Sequence, residues 1–432
     1  MNHKAIIAKV DRIVPIPGAD RIQVAYVLGE SVVVSKDVDV GFLGVFFPVD
    51  LQLSEDYCRN NNLFRDSEKN LDTSKKGFFE NSRRVRCQPF LKVKSQGYFA
   101  DLSTLDYLYN GIPGTTSMSL KLGDQLDEID GVRFCEKYVS EKAKRKGSNS
   151  VKQSKANAYP LFDKHVDSAQ FKHVAGTIEA GSLIYFHNKR HGTSFRVGKL
   201  KRKVDLPKWK TFVNNFVQLF PTETDYQMVV GSRNVVIECQ EKEGWHGKES
   251  FRFDVAKEIY PFLEDGMIVY GEIVGFVNGS PIMPNGDIKS LKDKQFTEKY
   301  GSTNVFHYGC KEHEYKFHIY RITRQTINGL NIDMSQKELE EWCKSHGLEA
   351  TFEVHPPIFY DGDEDSLREL VDRLTERPEH LSEDWQFKGM IGEGVILRVE
   401  SGGYTPKFYK SKSYAFRVLE GILESDDMES MS

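Results

Sequence analysis

The hexapeptide Lys189-Arg190-His191-Gly192-Thr193-Ser194 follows the apolar run Leu183-Ile184-Tyr185-Phe186. The run reads as a strand, which places Lys189 at a strand edge beside a glycine. Gly192 permits a tight turn in which side chains and amides approach a phosphate closely. A lysine in that setting is a covalent nucleophile once its ammonium loses a proton. The free group has a pKa of about 10.4, so the neutral amine is scarce at neutral pH and needs help. Lys-x-His-Gly alone occurs by chance; the ordered partners downstream of Lys189 are what give it weight.

Five further elements come in sequence. Gly231-Ser232-Arg233-Asn234 closes an apolar stretch. Val269-Tyr270-Gly271-Glu272-Ile273-Val274-Gly275 is a strand with a carboxylate in its middle. Phe317-His318-Ile319-Tyr320-Arg321 is a strand with an aromatic at its start. Gly392-Glu393-Gly394-Val395-Ile396-Leu397-Arg398 carries a second carboxylate. Lys407-Phe408-Tyr409-Lys410-Ser411-Lys412-Ser413 puts Lys410 and Lys412 on one face, because strand side chains alternate. Each has a plainer reading. A carboxylate in an apolar strand is costly to bury unless paired, so Glu272 and Glu393 are either functional or structural ion pairs. Phe317 is core or a stacking surface, and the two lysines are an anion site or an exposed edge. His307, Cys310 and His313 have metal-like spacing but number only three. The acidic run 361–365 lacks EF-hand spacing and reads as a loop and helix cap.

The elements that must position these groups fall into parts. The 432 residues suggest two or three domains. Residues 1–120 hold short strand candidates (Val24–Leu28, Val32–Val34, Gly44–Phe47) punctuated by Gly and Pro, which reads as a small β-barrel of the OB type or a sandwich. Arg83, Arg84, Arg86, Lys92 and Lys94 lie there, with Phe90 among them and Tyr98 and Phe99 just after. Such a mixture tracks phosphates and stacks bases, or forms a solvated edge with charged gatekeepers. Residues 121–158 connect onward and end in a polar, basic linker over 140–157. Residues 159–422 alternate strands with helical stretches. Helical spacing covers 335–347 and 366–376, the second capped by Asp365 or Ser366, with Leu367, Leu370, Val371 and Leu374 on one face. The basic run from Lys199 to Lys210 grips a nucleic acid or is a solvated loop. Residues 423–432 form an acidic tail.

Composition narrows the class. Hydrophobic residues make up 39% and charged residues 28%, with a net charge of -4, so the chain as a whole is no basic nucleic-acid coat and local basic stretches matter more. Six scattered cysteines without Cys-x-x-Cys read as reduced thiols. No apolar run reaches the roughly 20 residues of a membrane span, and the strand-like start at Ala5 leaves no signal peptide. A cytoplasmic, monomeric protein with no membrane association is expected.

The ordered motifs resemble those of the covalent nucleotidyltransferases, the ATP-dependent ligases and capping enzymes. The Lys-x-His-Gly-Thr form is similar to the RNA ligase 2 group rather than to the Lys-x-Asp-Gly of DNA ligases. The N-terminal stretch, with Phe46-Phe47-Pro48-Val49-Asp50, resembles the OB module of a nick-sealing clade. The resemblance implies an α+β protein: an OB-like barrel, then an adenylyltransferase domain, ATP-grasp-like, of antiparallel sheets with flanking helices. It implies ATP and Mg2+ or Mn2+ as cofactors and, as partner, RNA with 5′-phosphate and 3′-hydroxyl ends, joined in repair or nick sealing.

The same resemblance assigns roles. Lys189 takes AMP from ATP as a phosphoramide, with Lys412 and a metal favouring the neutral amine. Lys410 and Lys412 hold the α-phosphate, and Phe317 stacks on adenine. Glu272 contacts ribose or metal-bound water, and Glu393 faces the metal through water. Arg233 contacts a 5′-phosphate or ribose; Thr193 and Ser194 donate to phosphate or ribose oxygens, and Arg196 is a further phosphate candidate. Arg83, Arg84, Arg86, Lys92 and Lys94 meet the RNA. Asn188 stands where the family usually has Glu reading the adenine amino group, so charge-assisted recognition is lost there. A DNA ligase or capping enzyme is expected to carry a further domain after the last motif, where this chain has only residues 413–432. A binder that kept the fold and lost catalysis is the other rival.

Overall fold

In Glu30–Ser35 buried and less buried positions alternate, the mark of a strand with one face on a core. Met267–Val277 is instead buried at nearly every position, as a strand covered on both faces is. These two strands belong to different parts of the protein. The computed structural model describes residues 4–49, 51–91, 93–109, 120–138, 159, 161–203, 224–237, 243–244, 247–248, 250–326, 328–376, 390–403 and 405–420. They group into two compact units, one drawn from 1–150, 169–177 and 417–432, the other from 151–168 and 178–416.

The first unit is built on a sheet in the order Gln125–Leu126, Ala5–Lys9, Leu43–Pro48, Gly97–Asp101, with a meander of Arg12–Pro15, Ile22–Val27 and Glu30–Ser35. The meander joins the sheet's end through the Val33 amide, which donates to Ser95 Oγ (3.0 Å), and the Gln96 amide, which donates to the Ser31 carbonyl (2.7 Å). One core, around Val32, Phe46 and Phe99, lies between them; a second, around Phe47, Tyr57 and Phe134, lies on the other side. The unit runs past the edge expected at residue 120. Gln125–Leu126 pairs with the first strand, and Cys135–Lys137 pairs with Leu51–Leu53. Those strands are two and three residues long, too short to show a period. The linker over 140–157 and the tail at 423–432 lie outside the described residues.

The second unit is built on two large antiparallel sheets. The first contains, in order, Lys407–Lys412, Gly394–Glu400, Leu183–Lys189 and Glu353–Phe359. The second runs Val236–Ile237, Thr224–Gly231, Thr193–Lys203, Met267–Val277, Tyr315–Gln325, Asn331–Asp333. The chain crosses between the sheets at 190–192, immediately after Lys189. Helix Ser250–Ile259 buries Phe251, Val255 and Ile259 in the core of the second sheet. The two expected helices are Gln336–Ser345, with a Ser335/Glu338 capping box, and Glu364–Thr375. The second is capped by Asp363, not by Asp365 or Ser366 as expected, because its carboxylate accepts from the Ser366 amide (3.1 Å).

Register fixes which residues meet at the crossing. Lys189 pairs with Gly394, and Gly394 pairs with Lys412, so the two lysines flank a residue without a side chain. Gly394 has φ +132°, and a Cβ there would lie 2.0 Å from the Ser411 carbonyl oxygen. Gly394→Ala is therefore expected to cost about 2–4 kcal/mol. Urea unfolding checks it, and a midpoint equal to wild type would remove this glycine's role.

Candidate active site

Glu393 is 2% exposed and precedes that central glycine. Its Oε1 lies 2.7 Å from Lys189 Nζ and 3.8 Å from Lys412 Nζ. Lys410, two residues back along the strand, is 4% exposed. Burial, with the positive charges of Lys189 and Lys412 behind it, pulls its pKa down to about 8. The His191 ring is packed edge-on against Phe306 and Phe416 at 4.8 and 5.0 Å. Burial drops its pKa to about 4, so it is neutral, and its 3.9 Å approach to Glu393 Oε2 is no ion pair. Among the described residues, Glu393 Oε2 is thus a buried oxygen without a hydrogen-bond partner.

The second carboxylate comes from the other sheet. Ser194, Glu272 and His318 share one cross-strand row, and Ser194 Oγ donates to Glu272 Oε2 (3.1 Å). Removal from water pushes the Glu272 carboxyl up to about 7, against the pull of Lys189. Glu272, Lys189, Asn188, Arg190, Arg233 and Tyr320 line one cleft. Burial holds His318 well below its ordinary pKa, so its Nε2 accepts from Arg190 Nη1 (2.5 Å), which shows where Arg190 points. Gly192 lies outside the positive-φ region; close approach is what requires a glycine there. A Cβ would stand 2.4 Å from the Ile273 carbonyl oxygen and 2.9 Å from Glu272 Cγ.

Several expected residues are placed differently. Phe317 does not face the cleft: it pairs with Ile273, lies on the opposite face from Glu272, and packs edge-on to Phe195 at 5.1 Å in the core. The aromatics at the cleft are Tyr320 and Phe408. Period two from Glu272's partner, His318, would have pointed to Tyr320. Arg233 lines the cleft but is engaged by Asp167 Oδ1 at 2.6 Å. Thr193 Oγ1 accepts from Arg252 Nη2 (2.6 Å); Arg252 is 3% exposed, and no local sequence pattern marks it. Arg196, 1% exposed, donates to the Asp163 carbonyl (2.5 Å), a structural role in place of the phosphate contact. Lys199 pairs with Asp265 at 2.8 Å, and 204–223 lie outside the described residues. His307, Cys310 and His313 form no metal site: among the described residues no group of three or more His, Cys, Asp or Glu is placed to hold a metal.

The basic stretch lies in the first unit. Arg83 Nε donates to the Leu53 carbonyl (3.0 Å), Arg84 lies over the Tyr138 ring at 4.7 Å, and Arg86 pairs with Glu80 at 3.2 Å. These three are engaged within the unit. The Lys94 carbonyl accepts from Ser31 Oγ (2.8 Å), and Lys92 is outside the described residues.

An RNA ligase family profile matches residues 183–412, more than half of the chain and the whole stretch from the strand of Lys189 to Lys412. The chain belongs to the RNA ligase family. An OB-fold domain profile matches residues 4–100. The fold is similar to that of Naegleria gruberi RNA ligase. A lysine-to-methionine mutant of that protein with AMP and Mn gives a TM-score of 0.56 at 18% identity, over 97% of this chain and 98% of that one. Its structure with PPi gives 0.56 at 18%, over 96% and 98%. A lysine-to-alanine mutant with ATP and Mn gives 0.54 at 16%, over 96% and 98%. No curated protein matches this chain. The RNA ligase profile thus begins and ends on the strands that carry Lys189 and Lys412, and it includes both carboxylates.

Lys410 gives the site a pH signature. Its folded pKa is below its free value, so it is charged below about pH 8 and neutral above. Affinity for pyrophosphate is expected to fall as pH rises through 8, and Lys410→Arg is expected to keep affinity level to pH 9.5. Calorimetric titration at pH 7 and 9 checks this; identical affinities in wild type would remove Lys410 from phosphate binding.

Proposed function

We propose that this chain is an ATP-dependent RNA ligase that joins 3′-hydroxyl and 5′-phosphate ends through a lysyl-AMP intermediate. One observation carries the reading: Lys189 sits at a sheet crossing with its amine 2.7 Å from a buried carboxylate that a second lysine also approaches. In the first step Lys189 Nζ attacks the α-phosphorus of ATP, the bond to the β-phosphate oxygen breaks, and pyrophosphate leaves. Lys189 must first surrender its hydrogen bond to Glu393 and lose a proton. Lys410 and Lys412 meet the charge that develops on the α-phosphate oxygens. AMP then passes to the 5′-phosphate of RNA, and a 3′-hydroxyl displaces it.

Magnesium or manganese fits the donors present. Glu393 Oε2 is buried without a hydrogen-bond partner among the described residues, and Glu272 adds a second carboxylate near it. Two carboxylates, with water and phosphate oxygens completing the set, suit a hard cation. When bound, the ion would neutralise phosphate charge and draw Glu393 away from Lys189. Tyr320 takes over from Phe317 as the aromatic offered to the adenine, and Asn188 remains the residue offered to its edge. Repair or nick sealing, by a monomer in the cytoplasm, is the setting this reading favours. Among the described residues no helix is long and apolar enough to cross a membrane, and the cysteines described are free.

The test is incubation with α-labelled ATP and magnesium, then a denaturing gel. Wild type is expected to retain label and Lys189→Ala to retain none. Adding 5′-phosphorylated nicked RNA is expected to discharge the label to the RNA. Label on Lys189→Ala would overturn the assignment.

A further inference from the structure

Phe78 is an aromatic side chain that the fold of the first unit holds outward, at 52% exposure. The backbone around it is fixed on both sides. A Cβ on Gly77 would lie 2.1 Å from the Leu63 carbonyl carbon, so residues 63 and 77 are in direct contact. The Gly77 amide donates to the Phe64 carbonyl (2.8 Å), that of Phe79 to the Leu63 carbonyl (2.9 Å), and that of Arg65 to the Phe79 carbonyl (2.8 Å). Asn70, 3% exposed, accepts from the Phe64 amide (2.9 Å) and donates to the Phe64 and Lys75 carbonyls (3.0 and 2.8 Å).

The ring is the outer end of an aromatic column. Phe47, fully buried, stacks on Tyr98 at 5.6 Å. Tyr98 meets Phe78 edge-on at 5.6 Å, and Phe79 tilts against it at 4.9 Å. An exposed aromatic already ordered in this way loses little freedom when a flat partner stacks on it. Two of the three aromatics expected from sequence to stack bases are less available: Phe99 is 6% exposed, and Tyr98 lies within the column.

The charge of the sequence around Phe78 favours an anionic partner. Residues 63–94 contain nine Lys and Arg against four Asp and Glu, in a chain of net charge -4. Lys76, two residues from Phe78, is exposed. Glu80, the acid closest in sequence, already faces Arg65 at 3.8 Å and Arg86 at 3.2 Å. An exposed aromatic beside cations is how unpaired nucleic acid is held without sequence preference: the base stacks and the backbone meets the charge.

We propose that Phe78 is a base-stacking platform, with Lys76 as its phosphate contact, for an unpaired stretch of the RNA substrate. The proposal rests on the RNA ligase reading for the identity of the polymer. It is tested on the full chain with a 5′-phosphorylated oligoribonucleotide bearing a single-stranded overhang, by fluorescence anisotropy across a salt series. Phe78→Ala is expected to weaken binding about tenfold. Phe78→Trp is expected to keep affinity, with its indole emission quenched by the RNA. Lys76→Ala is expected to lower the slope of log affinity against log salt by about 0.7. Lysyl-AMP formation is expected to be unchanged in all three. Wild-type affinity in Phe78→Ala, or an indole in Phe78→Trp that RNA leaves unquenched, overturns the proposal. Absence of lysyl-AMP in wild type would strike at the ligase reading instead and leave the stacking result standing.

Discussion

A carboxylate shut away from water among lysines is the interaction on which the site depends. Glu393 is 2% exposed, yet it is hydrogen-bonded to Lys189, within 3.8 Å of Lys412 and close enough to Lys410 to affect its titration. Burying an unpaired carboxylate is strongly unfavourable, and so is gathering three ammonium groups without an anion. Each side of this cluster therefore makes the other tolerable. It also leaves the site incomplete: positive charge exceeds negative, and one Glu393 oxygen has no hydrogen-bond partner among the described residues. An anion carrying phosphate and a hard cation would satisfy both deficits.

Backbone geometry is what lets the cluster exist. Lys189, Gly394 and Lys412 form one row across three strands, and the glycine keeps the middle of that row clear. Immediately after Lys189 the chain leaves this sheet for the one that carries Glu272. Gly192 makes the passage by lying against the Ile273 carbonyl and Glu272 Cγ at distances no larger residue could accept. Two carboxylates from separate sheets thus meet one nucleophile, and a shift in either register would part them.

Much of this was legible in the chain because strands obey a period of two. Lys410 and Lys412 share a face for that reason, and a carboxylate inside an apolar strand announces Glu272 and Glu393. The same rule, applied to the partner strand, places Phe317 in the core and Tyr320 at the cleft, whereas the motif resemblance pointed to Phe317. Other contacts had no local signal. Arg252 reaches Thr193 across 59 residues, and Asp167 engages Arg233 across 66. The arginines at 83, 84 and 86 look like a nucleic-acid surface in one dimension, but in the fold they are held by a carbonyl, a ring and Glu80. Phe78 is exposed and its neighbour Gly77 lies against Leu63, neither of which the sequence around them reveals.

The measurement that bears most directly on this account is the single-turnover rate of lysyl-AMP formation in Glu393→Gln, compared with wild type at saturating ATP and magnesium. The amide keeps the shape and removes the charge that organises the lysines. The account predicts a rate at least about 100-fold lower in a protein that still unfolds cooperatively. A rate within a fewfold of wild type would show that the buried charge of Glu393 is not what the site is built around.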